Sequence, residues 1–286
     1  MAGDRPMAVL GARGLVGSAV MEVMASESLI PLTRIECDLT RPGQVLQLMD
    51  RLRPGVFINC AAYTNVDGCE AAVEEALQVN ALGPGYLAQA ARDMDCLLVH
   101  LSTDFVFDGK TARPYKEDDP PAPLSVYGRT KLEGEKAVMA AGGDWLIVRT
   151  AWVYGHPRRG FVWRILDLAR QGGELKVVDD QTGSPTYAQD LASGLYDLIQ
   201  VKARGLFHLT NTGQATWWEL ARLTLDLSGH SQTPIKKITG SALNRPAVRP
   251  SFAPLDTTLY RTVTGKAPRP WPDALAEALK KEKEHE

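Results

Sequence analysis

From Met7 to Thr150, short apolar runs alternate with stretches that are apolar on one helical face. Met7-Ala8-Val9-Leu10 has the length and content of a buried strand. Leu15, Val16, Ala19, Val20 and Val23 then recur at helical spacing and predict a helix over residues 15–25. Leu29 to Leu32 reads as a second strand and Ile35-Glu36-Cys37 as a short third, before a helix around 42–52. Val56-Phe57-Ile58-Asn59-Cys60 is the next apolar run, followed by one long helix across 71–93. Leu97 to Leu101, a helix from about 125 to 141, and Leu146 to Arg149 complete the pattern. Strands that alternate with helices imply a parallel sheet covered on both faces. Right-handed crossovers make that an α/β doubly wound (Rossmann) fold.

Beyond residue 155 the pattern loosens. Residues 160–172 read as a helix, Leu175 to Val178 as a strand, Asp190 to Val201 as a helix and Gly205 to Leu209 as a strand. Thr216 with Glu219 three residues on has the form of a capping box. Residues 240–272, rich in proline and arginine, predict an irregular, lid-like segment. The expected organisation is an NAD(P)-binding lobe over 1–155 and a smaller substrate-binding lobe over 156–286, with chain exchange back to the first lobe allowed.

Composition narrows the function classes. The chain has 286 residues and a net charge of −2, so no global field draws nucleic acid or an anionic membrane, and neither is expected as a partner. Any anionic ligand must be held by local groups. Cys37, Cys60, Cys69 and Cys96 include no C-x-x-C pair and read as buried thiols of a reducing compartment. No histidine spacing suggests a metal, and His100 inside an apolar run reads as a core residue. The chain shows neither a signal-peptide pattern nor an apolar run of spanning length, so cytoplasm is the default. The mixed run Lys280 to Glu286 reads as a solvated helix end, and Trp217-Trp218 as packing of the second lobe.

Gly11-Ala12-Arg13-Gly14-Leu15-Val16-Gly17 follows the first strand and opens the first helix. Glycines at this spacing allow a tight turn, close approach of backbone to a pyrophosphate, and helix–strand packing. The helix N-terminus offers unpaired N–H groups to the phosphates. No acid ends the second strand to take ribose hydroxyls; Arg34, with Arg13, is placed instead to receive a 2′-phosphate. This favours NADPH, with NADH as the alternative. Asp38 and Leu39 are candidates for the adenine side, unless Asp38 caps the following helix.

Tyr127-Gly128-Arg129-Thr130-Lys131 opens a helix, with tyrosine and lysine on one face. Reducing a ketone needs a proton for the developing alkoxide. A phenol has a pKa of about 10, and an adjacent ammonium is expected to lower it. The same lysine can bind the nicotinamide ribose. Thr103 ends the strand at 97–101, at the sheet edge where ligands bind, and can orient the carbonyl.

These segments, with Asn59 to Asp67, Val79-Asn80-Ala81, Leu101 to Gly109, Arg149 to Tyr154, Asp180 to Thr186 and Arg249-Pro250, resemble the extended short-chain dehydrogenase/reductases, and among them the dTDP-4-dehydrorhamnose reductase family. The resemblance runs from about residue 7 to 280. It implies Thr103, Tyr127 and Lys131 as the catalytic trio and Gly11, Gly14 and Gly17 as the phosphate loop. It implies Ala61, Ala62, Tyr63 and Asn80 around the cofactor, and Val66, Asp104, Phe105, Trp152 and Thr186 around the sugar. The implied reaction is reduction of the C4 ketone of dTDP-4-dehydro-L-rhamnose, a step in polysaccharide biosynthesis. Phe105 stands where the family usually has tyrosine, which leaves the sugar open. Ser18 and Ala19 follow the loop where some members carry a magnesium-binding glutamate, so no metal is expected; a homodimer is left open. The alternatives are a non-catalytic, NADP-binding regulatory subunit of methionine adenosyltransferase and a reductase of another nucleotide-linked keto-deoxysugar.

Overall fold

The structure is a computed structural model that describes residues 5–158 and 160–283; Glu284, His285 and Glu286 of the charged tail lie outside the described residues. Its strands are β1 (Met7–Leu10), β2 (Leu29–Leu32), β3 (Val56–Asn59), β4 (Leu97–Thr103), β5 (Trp145–Thr150), β6 (Val153–Tyr154), β7 (Leu175–Val178), β8 (Thr182–Gly183), β9 (Thr186–Tyr187), β10 (Gly205–His208), β11 (Ala215–Thr216) and β12 (Ile235–Ile238). The α-helices are α1 (Leu15–Val23), α2 (Pro42–Leu52), α3 (Val66–Ala71), α4 (Val73–Leu77), α5 (Gly83–Asp93), α6 (Val126–Ala141), α7 (Phe161–Gln171), α8 (Ala188–Gln200), α9 (Trp217–Leu227), α10 (Thr258–Thr264) and α11 (Trp271–Lys283).

A six-stranded parallel sheet in the order β10-β5-β4-β3-β1-β2 carries the molecule. Side chains alternate across it, as the two-residue period of a strand requires. Val9, Ile58, Val99 and Val148 face one way, against Val20 of α1, Met24 just beyond its end, and Leu191 and Leu195 of α8. Ala8, Phe57, Leu98 and Ile147 face the other, against Val45 and Met49 of α2, Leu87 and Ala91 of α5 and Val138 of α6. Both faces are therefore apolar, which is why these strands read as unbroken hydrophobic runs. The doubly wound expectation holds.

Although α8 and β10 fall within residues 156–286, α8 packs on α1 and β10 pairs with β5, so the chain returns from the smaller lobe to the sheet. That lobe gathers Trp163 and Leu166 of α7, Leu220 of α9 and Leu275 and Leu279 of α11 around Tyr154 and Tyr187. Short ladders β7–β12, β8–β11 and β6–β9 tie it together. The Thr216–Glu219 capping box is formed, with both reciprocal hydrogen bonds present.

Three expectations change. Ile35-Glu36-Cys37 is not a strand: β2 ends at Leu32, and Glu36 Oε2 accepts from Thr33 N at 2.7 Å, closing a turn. The helix expected across 71–93 is broken at Ala72 and holds a π-turn at Gln78–Leu82. That turn aims Asn80 inward, where it accepts from Tyr63 N at 2.8 Å and donates to Tyr63 O at 3.1 Å and Thr130 Oγ1 at 3.2 Å. Residues 240–272 are not wholly irregular. Asp256, which accepts from Thr258 N at 2.7 Å, and Gly265, at φ +70°, bracket α10. Its β-branched residues had hidden the helical pattern.

Candidate active site

A cleft of about 840 Å³ runs across the carboxyl ends of the sheet strands, from Arg34 and Asp38 to Trp152 and Trp217. Gly11, Gly14, Leu15 and Val16 line one part of it. Gly11 adopts φ +80°, and a Cβ there would meet Ala61 N at 3.0 Å. Gly14 is the N-cap of α1 without a side-chain cap, and the helix's first turn holds no acid. This leaves backbone donors and the positive end of the dipole open to an anion. A dinucleotide's phosphates fit such a cradle. Gly17 does not line the cleft; it lets α1 lie against Gly11, whose carbonyl oxygen would be 2.0 Å from an added Cβ.

Ala61, Ala62, Tyr63 and Leu39 also line the cleft. Asn80 does not, and acts from behind by pinning Tyr63. Asp38 does not cap α2, whose N-cap is Arg41. Its Oδ1 accepts from Thr40 N and Oγ1 at 3.0 and 2.8 Å, and its Oδ2 from Arg34 at 3.5 Å. Arg34 lines the cleft with 70 % of its side chain exposed, beside Asp38 and 3.9 Å from Glu75. Arg13 is exposed and outside the lining, where its charge acts on Glu36.

Thr103, Tyr127 and Lys131 all line the cleft. Ser125 caps α6 by accepting from Gly128 N at 3.2 Å, and Glu70 accepts from Val126 N at 2.8 Å. Gly128 lets α6 press on the Phe105 carbonyl, 2.2 Å from where a Cβ would stand. The Phe105 and Tyr127 rings meet edge to face at 5.4 Å. Thr103 donates to Asp104 Oδ1 at 3.0 Å, and its hydroxyl also bears on the Tyr127 phenol, lowering its pKa. Lys131 Nζ donates to the Leu101 carbonyl at 2.6 Å.

The electrostatics differ from expectation in one respect. Burial pushes the Tyr127 phenol above its ordinary pKa, outweighing the Thr103 hydroxyl, and Asp104 adds to the rise. The Lys131 ammonium is bound to a backbone carbonyl and is not among the groups that move Tyr127. Burial lowers Lys131 itself to about 8, against the opposing pull of Glu135. Burial raises Asp104 to about 7, and its Oδ2 has no partner among the described residues.

Val66, Asp104, Phe105 and Trp152 line the cleft as expected, whereas Thr186 is fully buried in β9 and bonds the Ser184 carbonyl at 3.1 Å. Trp217, read as packing, also lines the cleft and stacks on Trp152 with centroids 3.5 Å apart and planes 7° apart. Trp152 takes φ +47°, and Gly183 leaves room for its indole. Sequence reasoning also missed Arg245 in the lining. Arg249 was noted only as part of a motif; it lines the cleft and grips Asp67 at 2.8 and 3.1 Å.

The family model described as the RmlD substrate binding domain matches residues 5–284. The chain belongs to this family. Family membership also shows in its relatives, which include dTDP-4-dehydrorhamnose reductases. One such reductase, from Mycobacterium tuberculosis (strain H37Rv), is 40% identical over 283 residues, covering 96% of this chain and 92% of the relative. A probable dTDP-4,6-dihydroxy-2-methyloxan-3-one 4-ketoreductase from Streptomyces antibioticus is 40% identical over 276 residues, covering 95% and 93%. Among solved structures, the dTDP-4-dehydrorhamnose reductase of Bacillus anthracis in complex with NADP is similar at TM-score 0.92 and 30% identity, covering 97% of this chain and 99% of that one.

Proposed function

We propose that this chain is an NADPH-dependent reductase of the C4 ketone of a dTDP-linked 4-keto-6-deoxy sugar, with dTDP-4-dehydro-L-rhamnose as its substrate. The observation that carries this reading is the meeting of Tyr127, Thr103 and Lys131 in the same cleft as the uncapped glycine-loop helix. Gly11, Gly14, Leu15 and Val16 would hold the cofactor's pyrophosphate, and Ala61, Ala62, Tyr63 and Lys131 its remainder. Bound there, NADPH supplies the hydride that reduces the carbonyl carbon. Thr103 orients the carbonyl through its hydroxyl. Tyr127 gives its proton to the alkoxide oxygen that forms at C4. Its raised pKa suits this direction, because the phenol stays protonated until the alkoxide develops. Thr103, whose hydroxyl works against the rise in the Tyr127 pKa, then stabilises the phenolate left behind, while the Lys131 ammonium would hold the nicotinamide ribose.

The required form of Lys131 is the ammonium, which exists below its folded pKa. With that value lowered to about 8, kcat/KM is expected to fall as pH rises through about 8. A pH profile of NADPH oxidation measures the limb.

Arg245 supports a nucleotide-linked substrate. It lines the cleft, and no hydrogen bond or ion pair among the described residues holds its guanidinium. Burial and the charge of Arg249 both push its pKa down, so an anionic partner relieves it. Arg245→Ala is expected to raise KM for the sugar nucleotide about tenfold, the worth of one charge-assisted hydrogen bond. KM for NADPH should stay unchanged, and initial rates with each substrate varied check both.

A second reading, another keto-deoxysugar of the same class, is favoured by Phe105, which presents no hydroxyl to the cleft. A panel of dTDP-linked keto-sugars with NADPH and with NADH tests both readings. Turnover of dTDP-4-dehydro-L-rhamnose with NADPH is the expected result; turnover of none overturns the reductase assignment.

A further inference from the structure

A buried ion pair, bonded also to a serine hydroxyl, lies behind Lys131. Glu135 stands one turn beyond Lys131 on α6 with its side chain 0% exposed, and Arg149 on β5 is 3% exposed. Glu135 Oε1 accepts from Ser102 Oγ at 2.5 Å and from Arg149 Nε at 2.8 Å, and Oε2 accepts from Arg149 Nη2 at 2.6 Å. A buried ion pair rarely stabilises a fold more than apolar packing would, so cohesion alone is a weak reason for one here.

The hydrogen bonds form a pattern. Two consecutive residues of β4 are held by two consecutive turns of α6: Leu101 by Lys131 at 2.6 Å and Ser102 by Glu135 at 2.5 Å. Thr103 is the next residue of that strand. Arg149, also 5.1 Å from the Phe107 ring, ties β5 to the same point. We propose that Glu135, neutralised on its far side by Arg149, is a positioning residue that keeps Lys131 in its ammonium form and holds β4 against α6 for proton transfer from Tyr127. The proposal rests on the reductase reading above.

The titratable and charged groups around Lys131 are Cys60 after β3, His100 on β4, Tyr127 and Glu135 on α6, and Arg149 behind Glu135. Burial pushes Cys60 up to about 12 and, with the Lys131 charge, holds His100 well below its usual value. Both stay neutral around pH 8, and so does Tyr127 with its raised pKa. Glu135, paired with Arg149 at 2.6 Å, is the carboxyl group one helical turn from the ammonium.

The test titrates Lys131 directly, by NMR of the full chain carrying [ε-¹³C]lysine, with its signal assigned by Lys131→Arg. Glu135→Gln is expected to lower the midpoint by about one pH unit, the usual effect of losing a neighbouring opposite charge. The alkaline limb of kcat/KM should move with it. Arg149→Met should move both upward, because the carboxylate no longer shares its charge, and Arg149→Lys should leave both in place. If Glu135→Gln fails to fold, the upward shift in Arg149→Met decides. Midpoints unchanged in the folded variants, with only a loss of kcat, would overturn the proposal. A wild-type protein that turns over no keto-sugar while its Lys131 midpoint still responds to Glu135 would refute the reductase reading and leave the hold of Glu135 on Lys131 standing.

Discussion

Tyr127→Phe lowers kcat for keto-sugar reduction by roughly 10²- to 10⁴-fold, the range set by loss of a positioned proton donor. The phenylalanine keeps the ring that meets Phe105 edge to face and the helix capped by Ser125, so the fold and the cofactor cradle are unaffected. It removes the phenolic hydroxyl that shares the cleft lining with Thr103 and Lys131. NADPH binding, followed by fluorescence titration, should match the wild type. Turnover at the wild-type rate would remove Tyr127 from the mechanism.

Gly17→Ala has the second largest expected effect, on cofactor binding. The new methyl would stand 2.0 Å from the Gly11 carbonyl oxygen and 2.8 Å from the Ala12 Cα, both backbone atoms. Neither can rotate away, so α1 must move off the loop. Overpacking of this kind costs about 1–3 kcal/mol, which as lost binding is roughly fivefold to 150-fold in Kd. The same methyl lowers thermal stability, because α1 also buries Ala19 and Val20 against the sheet and α8. Titration with NADPH and a thermal melt separate the two effects. A Kd within twofold of the wild type would show that the loop tolerates the shift.

Much of the site was legible because its groups lie close in sequence or at a fixed period. Gly11, Gly14 and Gly17 sit at the strand-to-helix junction that their spacing predicts. Tyr127 and Lys131 share a helix face by virtue of the four-residue interval alone. Thr103 could be placed at the sheet edge once the apolar run before it was read as a strand. Thr186 was misplaced because a threonine near a pocket motif looks the same whether its hydroxyl faces ligand or backbone. Trp217 was undervalued for a related reason: an aromatic at the start of α9 is ordinary core material unless a partner such as Trp152 turns it toward a cleft. Arg245 had no local signal, since an arginine in a proline-rich segment reads as surface.

By itself, the sequence determined the alternation of strands and helices, the glycine loop and the spacing of the tyrosine and lysine. Each of these depends on backbone geometry over a few residues. Only the tertiary structure decided that α8 and β10 return to the sheet, that Glu135 and Arg149 close a buried pair behind Lys131, and that burial raises Tyr127 while lowering Lys131. Those outcomes depend on which distant segments exclude water from a group and which charges they bring beside it, and no local pattern along the chain encodes either quantity.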